Sequence, residues 1–252
     1  MGEAEAAETN ASEIDLDGLA RGYRFRPISE RAAKRAADAA RRSLDPLLDV
    51  GGGTGAHADV WSQAGRVAVV LDLSNEMTIQ AARRKNLQVT RADAERMPFV
   101  DNSFGLAYFH TSVHYGSWRS TLGEGVRVVR DGGIIEVWTF APNSIGSTSL
   151  GRWFPSVVAI DSVRFPEPDA MAEYLGSLCS NVSVGTEVEP IARTARQWID
   201  GVRGGFVSTL QLIDQTELDT GISAFRSAYP NDNDIYRYSE LHLDPVHRLG
   251  GC

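Results

Sequence analysis

Apolar residues change their period several times along the chain, and each change predicts an element. Leu47 to Val50 is a short apolar run broken only by Asp49 and reads as a buried strand; Val67 to Leu71, Leu87 to Arg91, Leu106 to Phe109 and Ile134 to Phe140 read likewise. Helical segments lie between them: Ala56 to Gln63, Asn75 to Lys85 with Ser74 as its N-cap, and Trp118 to Val129. In the last of these, Trp118, Leu122, Val126 and Val129 recur at helical spacing and form a core stripe. Such alternation predicts an α/β fold with a doubly wound, mostly parallel sheet and ligands at the carboxyl ends of the strands. Upstream, Pro27 to Leu44 reads as a helix with Pro27 in its first turn and Ile28, Ala32 and Ala36 as its stripe, placed to cover a sheet edge.

Beyond the fifth strand the pattern loosens. Asn143 to Phe165 is expected to be a long connection, and Met171, Tyr174, Leu175 and Leu178 mark a helix. Strands are expected at Asn181 to Val188 and Ile235 to Leu243. The interval Glu189 to Asp234 is too long for a hairpin and helical in pattern. Trp198, Val202 and Phe206 step by four, a break falls at Gly204-Gly205, and Leu210 and Ile213 continue the apolar face. Thr216 with Asp219 resembles a capping box for a helix on Leu218, Ile222, Phe225 and Tyr229. This interval is expected to be a substrate cap, the alternative being an elaboration that buries its own apolar faces. Residues 1–13, Glu/Ala-rich, are expected to be a disordered tail; 14–252 reads as a single domain with a cofactor-binding core at 44–141 and a cap insertion at 189–234.

Composition narrows the function classes. With 252 residues and 42% hydrophobic content the chain can bury an α/β core. Its net charge of −8 lacks the basic excess that grips a phosphate backbone, so a small-molecule partner is expected and a nucleic acid is not. Neither a secretory signal nor a membrane span is expected, since residues 1–13 lack a basic start and an apolar run and no stretch approaches the ~20 apolar residues of a span. Cys179 and Cys252 form neither a disulfide framework nor a metal spacing, which suits a reducing cytoplasm, with Cys252 a loose terminal thiol. His110 and His114, four apart, have no accompanying carboxylate or cysteine cluster, so no metal is expected. A monomer or homodimer is expected.

The chemistry begins where the first strand breaks into glycines, at Leu47-Leu48-Asp49-Val50-Gly51-Gly52-Gly53-Thr54-Gly55. Glycines there permit positive φ and let a ligand approach the backbone, while the following helix aims free N–H groups at the same place. Gly51-x-Gly53-x-x-Ala56 also satisfies a dinucleotide fingerprint, with Asp72 roughly 20 residues on, so the loop alone leaves two cofactor classes open. Asp49 favours S-adenosylmethionine: a carboxylate one turn before the loop opposes a pyrophosphate but stabilises a sulfonium and an ammonium. Asp93, after the third strand, can accept from an adenine amino group.

Four blocks in order carry a resemblance: Leu48 to Gly55, Leu71-Asp72-Leu73-Ser74-Asn75-Glu76-Met77, Asp93-Ala94-Glu95-Arg96-Met97-Pro98-Phe99, and Glu124-Gly125-Val126-Arg127-Val128-Val129-Arg130-Asp131-Gly132-Gly133. Across residues 47 to 140 the chain resembles class I S-adenosylmethionine-dependent methyltransferases, and more narrowly the ubiquinone/menaquinone-biosynthesis type (methyltransferase type 11) that acts on small molecules. It departs from that pattern at Gly52, usually cysteine or another small residue, and at Asp131, usually proline. The resemblance implies a Rossmann-like seven-stranded sheet whose last two strands form its antiparallel end. It also implies a transferase that methylates O, N or C of a small-molecule acceptor in metabolite or natural-product biosynthesis, yielding S-adenosylhomocysteine. The implied cofactor residues are Asp49, Gly51, Gly53 and Gly55 at the amino-acid end, Asp72 at the ribose, and Leu73, Met77, Asp93 and Ala94 at the adenine side, with Phe109, His110 and Tyr23 nearby.

Tyr23, beside Arg26, matches a place where the family closes an N-terminal segment over the cofactor; an aromatic there can pack on a sulfonium, or with Phe25 merely staple the helix start. His114 follows the fourth strand and is the candidate general base, since histidine titrates near working pH; the alternative is a loop hydrogen bond. The acceptor is expected between the strand ends and the 189–234 cap. Trp138 with Phe140, and Trp153 with Phe154, either line an aromatic pocket or belong to the core. A non-methylating adenosylmethionine-binding protein (a cyclase or an interaction module) and an NAD(P)-binding oxidoreductase remain open.

Overall fold

The five apolar runs become five parallel strands. They are β1 (Leu47–Val50), β2 (Ala68–Asp72), β3 (Leu87–Arg91), β4 (Phe104–His110) and β5 (Val129–Trp138), in a computed structural model that describes residues 14–179 and 181–248. The expectations for the tail at 1–13 and for Cys252 lie outside the described residues. Two later strands, β6 (Val182–Thr194) and β7 (Ile235–Arg248), complete the order β3-β2-β1-β4-β5-β7-β6. Pairing of Ile134 with Arg248 and of Glu136 with Val246 makes β7 antiparallel to β5, so the parallel part has five strands and β7 and β6 add an antiparallel hairpin.

Alternation along each strand builds two cores, one per face. Leu48, Val50, Leu71, Phe109 and Val137 point to the face covered by α5 (Trp118–Val128) and α7 (Pro168–Leu178), where Leu122, Met171 and Leu175 are fully buried. Leu47, Val70, Leu106, Tyr108 and Trp138 point to the opposite face, under α2 (Glu30–Arg42) and α3 (Ala56–Gln63). There the indole N–H of the fully buried Trp61 donates to the carbonyl of Ala36 at 2.8 Å and locks α3 to α2. The helix expected from Pro27 instead starts at Glu30, because Ser29 Oγ accepts the Ala32 N–H at 3.0 Å and caps it. Its Ala36, Ala39 and Ala40 press it across the face of the sheet and not along an edge. Between β2 and β3 runs α4 (Asn75–Ala82), capped by Ser74 as expected. No helix among the described residues is long and apolar enough to cross a membrane.

The contacts divide the chain into two units. One holds Ile28–Thr139, Pro166–Thr186 and the end of β7; the other holds the chain up to Pro27, Phe140–Phe165 and Glu187–His242. The second unit is therefore wider than the 189–234 interval. It contains α1 (Leu16–Gly22), α6 (Pro155–Arg164), α8 (Ala195–Arg203) and α9 (Gln215–Ala228) around an aromatic core. Trp198 of α8 stacks on Phe225 of α9 at 3.8 Å between ring centroids, with Phe154 parallel to it at 5.9 Å and Trp153 at 6.2 Å.

Several expectations change in this unit. The connection 143–165 contains α6, whose buried positions Val157, Asp161 and Arg164 keep helical spacing but are mostly charged, so apolar periodicity does not reveal it. Asp161 accepts from Thr209 Oγ1 at 2.8 Å and from Arg164 at 3.2 Å; burial raises its pKa and Arg164 opposes that. The capping box falls at Thr194 and Gln197, opening α8, whereas α9 is capped by Asp214, which accepts the Thr216 N–H at 2.6 Å. Phe154 and Trp153 are core residues. Trp138 and Phe140 do not share a cluster: Trp138 is buried under α2, while Phe140 packs edge-on to Phe165 at 5.6 Å.

Candidate cofactor site

Where β1 ends, Gly51, Gly53 and Gly55 take φ of 64°, 55° and 73°, a region open to glycine at little cost. This turns the chain back over β2, so that the N–H groups of Gly51 and Gly52 donate to the Leu71 carbonyl at 2.8 and 3.2 Å. The next N–H, of Gly53, donates to Asp72 Oδ2 at 2.8 Å, and the N–H of Ser74 donates to Oδ1 at 2.9 Å. Asp72 is thus fixed between two loops, one carboxylate oxygen on each. A Cβ on Gly51 would lie 2.5 Å from Ser112 Cβ, and Ser112 Oγ donates to the Val50 carbonyl at 2.7 Å. The loop after β4 is thereby seated against the glycine loop.

Beneath the turn sits Asp49, with zero exposure. Neither of its carboxylate oxygens makes a hydrogen bond to any described residue. Burial pushes its pKa up to about 7; the Ala58 N–H, outside good hydrogen-bond geometry, pulls against this, and the Asp72 charge adds to it. A buried carboxyl without partners costs free energy that a cationic or donor ligand offsets. Those two oxygens, the positive-φ loop and the Asp72 clamp fit a ligand that combines a ribose diol with positive charge.

After β3, Asp93 is exposed and its Oδ1 accepts the Glu95 N–H at 2.9 Å. Its segment is anchored by Arg127 of α5, which donates to the carbonyls of Phe99 and Met97 at 2.7 and 3.0 Å while pairing with Glu124 at 2.7 Å. Glu95 in turn accepts the Ser117 N–H at 2.7 Å. Leu73 is 50% exposed beside Asp72, Ala94 packs on the core edge, and Met77 is buried with its N–H on Ser74 Oγ. Phe109 is different: its side chain is wholly buried against Gly125, so it serves the core. His110 lies 4.4 Å from the ring of His57, and the buried His114 lies 4.3 Å from Tyr115. Tyr23 belongs to the second unit, where the Arg26 guanidinium lies 5.8 Å from its ring.

Residues 48–137 match the model of the methyltransferase domain family. Over that stretch the chain is similar to the methyltransferase domain family. A malonyl-[acyl-carrier protein] O-methyltransferase of Erwinia billingiae is 34% identical over 136 residues, which are 53% of this chain and 54% of that protein. A demethylmenaquinone methyltransferase of Renibacterium salmoninarum is 31% identical over 153 residues, 52% of this chain and 65% of that protein. The chain spans about half the length of the curated relatives it matches. A solved putative methyltransferase from an antibiotic biosynthesis pathway of Anabaena variabilis shares the fold, with a TM-score of 0.64 at 16% identity over 84% of this chain and 96% of that one.

Around the glycine loop and the Asp93 segment, sequence reasoning missed His57, Ser112 and Arg127. His57 follows the glycine run directly, which is a signal that could have flagged it. Ser112 and Arg127 act through backbone carbonyls of distant segments, and no local pattern encodes such contacts.

Proposed function

We propose that this chain transfers a methyl group from S-adenosylmethionine, held at the glycine loop, to a small-molecule acceptor that is free or borne on a carrier protein. The orphaned, fully buried carboxyl of Asp49 beneath a positive-φ glycine loop is the observation that carries the reading. When bound, S-adenosylmethionine supplies an electrophilic methyl on a positively charged sulfur. Asp72 would hold the ribose hydroxyls, Asp93 the adenine amino edge, and Leu73, Met77 and Ala94 the apolar surroundings of the base. Asp49, Gly51, Gly53 and Gly55 would hold the amino-acid end, with His110 beside it. The protein's main task is then to align the acceptor and exclude water. His114, buried in the loop after β4, would accept a proton on a ring nitrogen from an O–H or C–H acid. The relatives' names support an acidic oxygen or a quinol-type ring as acceptor.

Titration calorimetry with S-adenosylmethionine, S-adenosylhomocysteine and NADPH tests the cofactor. Both adenosyl ligands should bind, and Asp72→Ala should weaken them roughly tenfold or more, since a hydrogen bond to a charged group contributes about 1.5–3 kcal/mol. Saturable binding of NADPH alone would overturn the reading in favour of an oxidoreductase. Methyl-labelled cofactor offered with quinol, phenol and acyl-thioester acceptors tests the transfer, and tight binding with no label transferred would favour a non-methylating role.

A further inference from the structure

We propose that a positively charged ligand entering the glycine loop expels a proton from Asp49, the fully buried carboxyl with no hydrogen bond beneath that loop, so that occupancy of the site depends on pH. The inference rests on the cofactor reading above and adds a linkage that reading does not require. Asp49 sits in a row fixed by strand register, with Val70 on one side and Tyr108, then Glu136, on the other. The groups around it leave its charge uncompensated. Asp72 at the end of β2 repels a second negative charge. Tyr108 on β4 lies 5.5 Å from His57 of α3, and His57 lies 4.4 Å from His110. The cations of α2 are directed along the row to β5: Arg42 pairs with Glu136 at 2.6 Å and Arg35 lies 4.6 Å over the Trp138 ring. Glu136 also accepts the Trp138 indole N–H at 2.8 Å. None of these groups hydrogen-bonds Asp49.

Without a ligand, burial therefore favours the neutral acid up to about pH 7. A ligand that brings an ammonium and a sulfonium reverses the balance: the carboxyl ionises, its O–H proton leaves to solvent, and the carboxylate remains beside the cationic ligand. Linkage then requires affinity to rise with pH, by about tenfold per unit below the free-state pKa, and to level off above it.

Calorimetry of S-adenosylmethionine binding in buffers of different ionisation heat counts the protons released. Between pH 6 and 7 the ligand's own α-amine, ordinarily titrating near ~7.7–8.0, stays charged and does not interfere. Wild type should release a large fraction of one proton at pH 6 and about half of one at pH 7, with affinity climbing across that range. Asp49→Asn should abolish the release and flatten the affinity profile. Release that persists in Asp49→Asn belongs to another group and overturns the proposal. Binding by wild type without release overturns the linkage while the cofactor reading stands; no binding at any pH overturns both. Carboxyl-carbon NMR of ligand-free wild type gives an answer independent of the variant's folding. There, Asp49 titrating at the ordinary carboxylate value would refute the linkage.

Discussion

Two glycines with the same backbone hand separate conformational strain from close approach. Gly132 has a φ of 73° and open space for 4 Å around the place a Cβ would take, whereas a Cβ on Gly51, at φ 64°, would meet Ser112 Cβ at 2.5 Å. Gly132→Ala should cost only left-handed strain, about 1–2 kcal/mol. Gly51→Ala should cost more in urea melts, and it alone should weaken cofactor binding, because Ser112 must move and release the Val50 carbonyl. His114 is the residue on which the chemistry of the proposal depends most. Removing a general base usually lowers turnover by about 10²–10⁴-fold, so His114→Ala should do so with cofactor affinity nearly unchanged. Single-turnover rates from pH 5 to 9 are the check; an unaltered rate and pH profile would leave alignment and water exclusion as the whole mechanism.

Among elements, α5 does more than cover the sheet. Its Arg127 ties the segment containing Asp93 to the body of the fold through two backbone carbonyls, Asp101 and Glu124. Arg127→Leu should lower stability by roughly 2–4 kcal/mol, since charged hydrogen bonds to main chain are lost from a partly buried site. It should also weaken adenosyl ligands by loosening Asp93. The Arg127 guanidinium holds the Glu124 carboxyl below the usual carboxylate range. A depressed acid stabilises the fold above its unfolded pKa and loses that contribution as pH falls through the folded value. The gap between wild type and Arg127→Leu should therefore narrow in acid, which denaturation at pH 7 and pH 3 would show. The second unit has a counterpart in α6, where Asp161 and Arg164 take the positions that apolar residues usually fill.

For the whole molecule, the buried carboxyl of Asp49 gives stability an unusual pH dependence. Its folded pKa, about 7, lies above the unfolded value of 3.8. The folded state then binds the extra proton, so this contribution is complete below about pH 4 and is lost as pH rises toward 7. Asp49→Asn removes the loss: ligand-free, it should match wild type in acid and exceed it at pH 8 by at most about 4 kcal/mol in thermal or urea melts. Equal stability at pH 8 would mean that the carboxyl is solvated or paired in solution. The five parallel strands and most of their helices were legible in the sequence because local alternation records which face of each element is buried. The turn at Gly51, Gly53 and Gly55 was legible because its positive-φ backbone favours glycine. The sequence did not reveal α6, whose stripe is mostly charged, and it assigned to the cofactor Phe109, which the fold gives to the core. Nor did it place Ser112 on the glycine loop, His57 against His110, or Arg127 under the Asp93 segment. Those contacts join residues far apart in the chain, so only strand register and helix packing could decide them.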